Sequence, residues 1–261
     1  MNHAPLVEAL KPFVTVILAA GKGKRMDNPE LPKVLFEVNG MPMIDYVVRL
    51  ALRLKSEKTI AVVGHHRDTV VRHVTEQFGR RVSFVEQRKQ LGTGHAVLQT
   101  EKKLKDFSGD ILVLSGDVPL LTENTVLALL LKHQSSQAVA TILTADADEP
   151  AGYGRILRYR DGSVERIVED RDATEAQRKV REINSGVYVF KKAELFKGLK
   201  ELTPANVQME YYLTGVFEIF WKKRLSIVAV KAGNVNEVHG VNTADELREA
   251  REILLLHRPD G

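Results

Sequence analysis

Short apolar runs alternate with amphipathic stretches through the first half of the chain. The runs at 14–20, 59–63, 82–85 and 110–115 read as buried strands. Between them, apolar positions recur at helical spacing near 42–55, 67–78 and 94–105, and again at 122–133. Such alternation predicts right-handed βαβ units and an α/β fold, with a mostly parallel sheet covered by helices on both faces. A further strand, Val139 to Thr144, continues the sheet.

The pattern then changes. Gly154–Tyr159, Ser163–Val168 and Ile183–Phe190 alternate polar and apolar residues, as antiparallel strands do, around an acidic and mobile-looking stretch at 169–182. A helix is expected over 208–222, with Phe217, Phe220 and Trp221 at core spacing, then a strand at 225–230 and a terminal helix from about Thr243. With no low-complexity linker or repeat between these parts, residues 14–261 are expected to form one domain behind an N-terminal extension, 1–13.

The 261 residues are 44% hydrophobic and 28% charged, which suits a folded protein with a sizeable core. The 38 basic residues are nearly balanced by 34 acidic ones, favouring local basic pockets over a nucleic-acid-binding face. Cysteine is absent, which excludes disulfides, thiolate catalysis and Cys-based zinc sites. No run reaches the about 18 apolar residues of a membrane span, and Met1 to Pro12 lacks the apolar core of a signal peptide. A cytoplasmic enzyme with no nucleic-acid or membrane partner is the expectation; the oligomeric state is not legible.

Three places suggest chemistry. The first follows the opening strand: Leu18-Ala19-Ala20-Gly21-Lys22-Gly23-Lys24-Arg25-Met26, with Lys33 downstream. Two glycines let backbone N–H groups turn towards an anion, and four cations gather beside them, so the loop reads as a phosphate cradle or, more plainly, a flexible cationic βα loop. It lacks the third glycine of the dinucleotide fingerprint, and no P-loop exists. The second is Ile111-Leu112-Val113-Leu114-Ser115-Gly116-Asp117, which sets a carboxylate at a strand's carboxyl end. Asp117 there suits Mg²⁺, or serves as a turn residue before Pro119.

The third is Gln87 with Gln90-Leu91-Gly92-Thr93-Gly94-His95-Ala96. Its glycines allow close approach to a flat ligand, and Gln87 offers a donor and an acceptor for a pyrimidine's imide edge. The alternative is a helix start capped by Thr93, with His95 inside that helix. In the back half, glycines and isolated polar groups near Gly154, Glu169 and Asn184 suggest hydrogen bonds to a hydroxylated ligand such as a sugar, or simple turns and strand edges. His65, His66 and His73 show no carboxylate or histidine partner at ligand spacing and read as structural.

Taken in order, the motifs L-A-A-G-K-G-x-R-M, L-P-K, Q-L-G-T-G-H-A, G-D-V-P-L, G-Y-G-R-I, E-I-N-S-G, E-Y-Y-L-T and G-V-N span Val14 to Asn242. The set resembles the uridylyltransferase (pyrophosphorylase) domain of the bacterial bifunctional enzymes that make UDP-N-acetylglucosamine. That resemblance implies a Rossmann-like nucleotidyltransferase fold with a mostly parallel mixed sheet and a small antiparallel sugar-side region. It implies contacts from Leu18, Ala19, Ala20 and Gly21 to the nucleotide, and Gln87, Gly92 and Thr93 around uracil. Arg25 and Lys33 would bind the phosphates as the catalytic cations, and Asp117 with Asn242 would hold Mg²⁺. Gly154, Glu169, Asn184, Tyr212 and Thr214 would line the N-acetylglucosamine pocket. The substrates implied are UTP and N-acetylglucosamine-1-phosphate, and the products UDP-N-acetylglucosamine, a cell-wall precursor, and pyrophosphate.

The chain departs from the pattern on the sugar side. Asn206-Val207-Gln208-Met209 stands for the usual N-A-Q-G, Gly215 for the Asp after Y-L-T, and Arg171 for a Lys after the sugar-binding Glu. No hexapeptide repeats of the acetyltransferase β-helix occur, so acetyl transfer and trimerisation by that route are not expected. Competing readings are a nucleotidyltransferase for another sugar or for dTTP, and a non-catalytic sugar-nucleotide sensor.

Overall fold

The structure is a computed structural model that describes residues 4–21, 23, 26, 28, 30–204 and 206–256. Its strands are β1 (Phe13–Ala19), β2 (Glu37–Val38), β3 (Met41–Pro42), β4 (Thr59–Val63), β5 (Val82–Glu86), β6 (Asp110–Ser115), β7 (Ala140–Asp146), β8 (Arg155–Arg158), β9 (Val164–Val168), β10 (Glu182–Lys191) and β11 (Ile227–Lys231). Its helices are α1 (Ala4–Glu8), α2 (Met43–Arg53), α3 (Arg67–Phe78), α4 (Thr93–Leu98), α5 (Glu123–Ser136), α6 (Glu175–Arg178), α7 (Lys192–Glu201), α8 (Gly215–Lys222) and α9 (Ala244–Leu256). The main sheet runs β11-β7-β10-β6-β1-β4-β5, and β2 and β3 form a separate hairpin.

Strand β1 pairs in parallel with both β4 and β6, and β4 with β5. Strand β10 alone runs against its neighbours, antiparallel to β6 and β7, while β11 returns parallel to β7. The arms β8 and β9 hang from β10 as an antiparallel annex. The expected mixed sheet and its small antiparallel region are thus both present.

Residues of β1 alternate between two cores. Phe13, Ile17 and Ala19 join Ile44, Val48, Val70, Val74 and Leu130 beneath α2, α3 and α5. Val14 and Val16 join Val97, Leu195, Val216 and Phe217 beneath α4, α7 and α8. Both faces are therefore dry, and the strands read as continuous apolar runs for that reason. A third, smaller cluster packs Val241, Leu247 and Ala250 of the terminal segment against Met26, Val38, Met43 and Leu120.

Several expectations are corrected. Residues 208–214 are not helical; helix α8 begins only at Gly215. The backbone there is held by the neighbouring loop: Tyr211 N–H donates to Leu91 O (2.8 Å) and Gly94 N–H to Tyr211 O (2.8 Å). Those tertiary bonds override the local helical pattern. Trp221 is 42% exposed and stacks on Tyr159 instead of joining Phe217 and Phe220 in the core. The helix expected near 94–105 breaks after Leu98 into a 3-10 turn, Glu101–Leu104. His73 does have a carboxylate partner, Asp45 of α2, at 2.8 Å from its Nε2, and this pair ties α3 to α2.

The acidic stretch 169–182 is folded. Thr174 and Gln177 form a capping box on α6. Arg155, 1% exposed, ties the stretch to the sheet by donating to Tyr153 O and to Asp170 Oδ1. Glu169 accepts a hydrogen bond from Thr214 Oγ1 at 2.7 Å. Burial holds the Glu169 carboxyl above the ordinary carboxylate range, with Asp172 and Asp170 adding to the rise and the Thr214 hydroxyl opposing it.

Two predictions follow from this packing. Phe190 is fully buried among Tyr188, Phe217 and Phe220. Phe190→Ala is expected to cost about 3–5 kcal/mol in urea unfolding. The raised Glu169 pKa means the folded state holds this proton more tightly than the unfolded state. Stability from this group is fully present at low pH and is lost as pH climbs from the ordinary Glu value towards the raised one. Glu169→Gln removes that loss, so its melting temperature should gain on wild type between pH 4 and pH 7; a constant difference would contradict the raised pKa.

Candidate active site

Because β1, β4, β5 and β6 are parallel, their carboxyl ends share one edge of the sheet. Loops leaving β1, β5 and β6 open there into a cleft of about 540 Å³. Ligands of open α/β sheets bind at such an edge. Leu18, Ala19, Ala20 and Gly21 form one lip, Gln87, Gly92 and Thr93 another, and Lys33, Asp117 and Asn242 close the third side. Ten of the sequence-derived candidates therefore meet in one place. Arg25, the remaining cation of the set, lies outside the described residues.

The Gln87 side is built by close backbone contact. Gly92 has φ +101°, and a Cβ on it would stand 2.7 Å from Tyr211 O, so only glycine fits. Thr93 does not cap α4; its hydroxyl accepts from Leu213 N–H at 3.0 Å and joins this loop to the sugar-side segment. Gln87 is buried, and its Nε2 donates to Gly92 O (3.0 Å) and meets His95 Nδ1 (3.0 Å). That amide nitrogen is thus occupied within the protein rather than offered to an imide edge. His95 lies in α4, as expected, and burial lowers its pKa, which favours the neutral ring.

The cationic side is compact. Lys33 starts a 3-10 turn, Lys33–Leu35, directly against Gly23, whose φ is +59° and on which a Cβ would fall 2.8 Å from Lys33 Cβ. Lys33 Nζ donates to Asp117 Oδ2 and to Asn242 Oδ1, the latter at 2.7 Å. Asn242 Nδ2 donates to Gly240 O (2.7 Å), which turns Oδ1 towards the lysine. Val241 N–H donates to Asp117 O (2.9 Å), locking the two oxygen-bearing segments together. Glu246 accepts from Thr243 N–H (2.9 Å) and caps α9 behind them.

The oxygens of Asp117 and Asn242 already hold one positive charge in common, so the pair fits a cation. Among the described residues no group of three or more His, Cys, Asp or Glu could hold a metal. One carboxylate and one amide suit Mg²⁺, which keeps several waters and binds substrate phosphates as well.

The sugar-side candidates are adjacent to this cleft but do not line it. Gly154 lies beside Asn184 and Glu169, with a notional Cβ 3.4 Å from each. Glu169, Tyr212 and Thr214 line a neighbouring cavity of about 680 Å³. Asn184 is buried and donates to Tyr188 OH (2.7 Å). Tyr212 OH donates to Gln208 Oε1 (2.6 Å), and Gln208 in turn lines the main cleft, so this residue joins the two spaces. Burial, with Asp172 and Glu169 nearby, pushes the Tyr212 phenol up to about 12 and keeps it a neutral donor.

Residues that sequence reasoning left out of the site also face the cleft: Gln90, Ser115, Arg171, Gln208 and Glu210. Gln90 and Ser115 stand inside motifs already singled out. Glu210 opens the E-Y-Y-L-T motif, and Gln208 and Arg171 stand among the departures from the family pattern, but none of the three was assigned to the site.

A family model for nucleotidyl transferases matches residues 14–233. The chain is 46% identical over 239 residues to the bifunctional protein GlmU of Geobacillus thermodenitrificans, covering 92% of this chain and 51% of that protein. It is 44% identical over 239 residues to the bifunctional protein GlmU of Streptococcus mutans, with the same shares. The chain thus spans about half the length of the curated relatives it matches. A crystal structure of UDP-glucose pyrophosphorylase complexed with UDP-glucose superposes with a TM-score of 0.74 over 95% of this chain and 100% of that one, at 18% identity, a likeness of fold. Among the described residues no helix is long and apolar enough to cross a membrane. With a cleft at the carboxyl edge of a parallel sheet, and a family model that runs through it, this chain belongs to the nucleotidyl transferase family.

Proposed function

We propose that residues 14–261 act as one nucleotidyltransferase domain that makes UDP-N-acetylglucosamine and pyrophosphate from UTP and N-acetylglucosamine-1-phosphate, in the cytoplasm. The observation that carries this reading is the joining, in one cleft, of the Gln87–Thr93 wall to the cluster of Lys33, Asp117 and Asn242. The names of the GlmU relatives support the choice of nucleotide and sugar.

In this reading a phosphate oxygen of the sugar phosphate attacks the α-phosphorus of UTP in line. The new P–O bond forms as the bond to pyrophosphate breaks, and the leaving group departs as an anion. The nucleophile is already ionised near neutral pH, so no general base is needed. The protein's task is to hold two anions together and balance their charge. Backbone groups of Leu18 to Gly21 would hold the nucleotide, while Gln87, Gly92 and Thr93 would frame uracil. Lys33 and Arg25 would bind the phosphates. Mg²⁺ held by Asp117 and Asn242 would supply Lewis-acid polarisation of phosphate oxygens. Glu169 and Thr214, with Gly154, Asn184 and Tyr212 beside them, would receive the sugar.

A panel of sugar-1-phosphates against UTP and dTTP, read by pyrophosphate release, tests the reading. Highest kcat/KM with UTP and N-acetylglucosamine-1-phosphate is expected; another sugar or dTTP ahead of them would refute the substrate choice. Tight UTP binding with no pyrophosphate from any pair would establish a sensor instead. Lys33→Ala and Asp117→Ala should each lower turnover at least ~100-fold, the scale of one preorganised charge-stabilising group. Near-normal turnover by either purified variant would remove that residue from the site.

A further inference from the structure

The sequence treats Lys33 as a phosphate-binding cation and Asp117 with Asn242 as a metal site, as if the two were independent. The structure joins them. Lys33 Nζ donates to Asp117 Oδ2 and Asn242 Oδ1 together, on the two side chains read as metal ligands. The Lys33 side chain is only 12% exposed and that of Asp117 24%. The contact is therefore made largely out of water, where charge is weakly screened.

All three members are positioned from behind. Gly23 crowds the root of Lys33, Gly240 O fixes the Asn242 amide, and Val241 N–H fixes the Asp117 backbone. An ammonium and a Mg²⁺- or Mn²⁺-sized ion on this oxygen pair would repel each other at close range. The ion binds oxygen at about 2.1 Å, so two like charges would meet with no water between them.

We infer that Lys33 is the resident counter-ion of the metal site, and that metal loading is an exchange of cations. The entering ion displaces the Lys33 ammonium from Asp117 and Asn242, and the freed ammonium turns to the phosphates of the nucleotide in the same cleft. The inference rests on the reading of Asp117 and Asn242 as metal ligands. Its consequence is cooperative: without nucleotide the ion competes with a tethered ammonium, whereas a bound triphosphate offers that ammonium another partner. Metal and nucleotide therefore favour each other's binding through the movement of one side chain.

Mn²⁺ binding to the nucleotide-free full chain tests this, titrated by electron paramagnetic resonance with wild type, Lys33→Met and Asp117→Asn. The expected result is roughly tenfold or tighter Mn²⁺ affinity in Lys33→Met, the scale on which one neighbouring charge alters ion affinity. Asp117→Asn should bind more weakly than wild type. A parallel measurement needs no variant: acylation of the Lys33 amine, quantified by mass spectrometry, should rise when Mn²⁺ is added to wild type.

If Asp117→Asn weakens binding while Lys33→Met does not tighten it, the exchange is wrong and the metal reading stands. Unchanged affinity in Asp117→Asn would place the ion elsewhere and overturn both. Should Lys33→Met fail to fold, the acylation decides. A Mn²⁺-dependent rise supports exchange, and a flat response overturns it. A rise is also what separates displacement from a simple through-space charge effect, which would leave the lysine where it is.

Discussion

The parallel pairing of β1 between β4 and β6 governs where this molecule can do chemistry. Three buried strands pointing the same way must end at the same edge, and every loop that leaves them begins there. The strands are largely apolar because both faces are covered, and Ser115, at the end of β6, is where one of them brings a polar side chain to the cleft. Polar function is pushed to the first residues beyond the sheet: Ala20 and Gly21 after β1, Gln87 after β5, Asp117 after β6. The reversed strand β10 adds the second half of the design. Running antiparallel against β6, it sends its opposite end to this edge, and from there it carries the β8–β9 annex and the Glu169 segment to the cleft's side.

Charge then follows from position. Lys33, Asp117 and Asn242 come from three well-separated parts of the chain, and the α9 cap fixes the last of them. A short lysine–carboxylate contact on an exposed surface is worth little. Here the side chains are mostly covered and the lysine is held by an amide oxygen as well, so the cluster is a built feature of the fold.

Much of this was legible in the sequence, and the failures share a cause. Strands of the main sheet came out within a residue or two because most are buried and apolar, whereas the two-residue strands β2 and β3 leave no such run. Leu18 to Gly21, Gln87 and Asp117 converged because they stand at or just beyond the carboxyl ends of parallel strands. Residues 208–214 were misread as helix because their conformation is set by bonds to Leu91, Thr93 and Gly94, far away in sequence. Trp221 sits at core spacing on α8, yet the annex residue Tyr159 meets it at the surface. His73 found Asp45 across two helices whose mutual placement no local spacing encodes, and Gln87, just after β5, found His95 in α4. Partners brought together by the fold, rather than element types, were the part that sequence could not supply.

The departures on the sugar side can be weighed in the same terms. Met209 takes φ +53°, a left-handed conformation that costs a side-chain-bearing residue about 1 kcal/mol and glycine nothing. The turn offsets this by stitching itself together: Met209 N–H donates to Asn206 O (2.9 Å), Glu210 N–H to Asn206 Oδ1 (3.0 Å), and Val207 N–H to Asp172 Oδ1 (3.1 Å). Val207 and Met209 are 73% and 67% exposed, while Gln208 and Glu210 face the cleft. The larger residues therefore point away from the ligand space and leave its lining polar. At Gly215 a Cβ would meet only the tip of a leucine side chain, Leu202 Cδ2 at 2.8 Å, so nothing in the structure explains the glycine. Arg171 keeps a cation on the cleft wall where lysine is usual. Of the three departures, the turn carrying Met209 is accommodated by its own hydrogen bonds, Arg171 preserves charge, and Gly215 has no structural explanation.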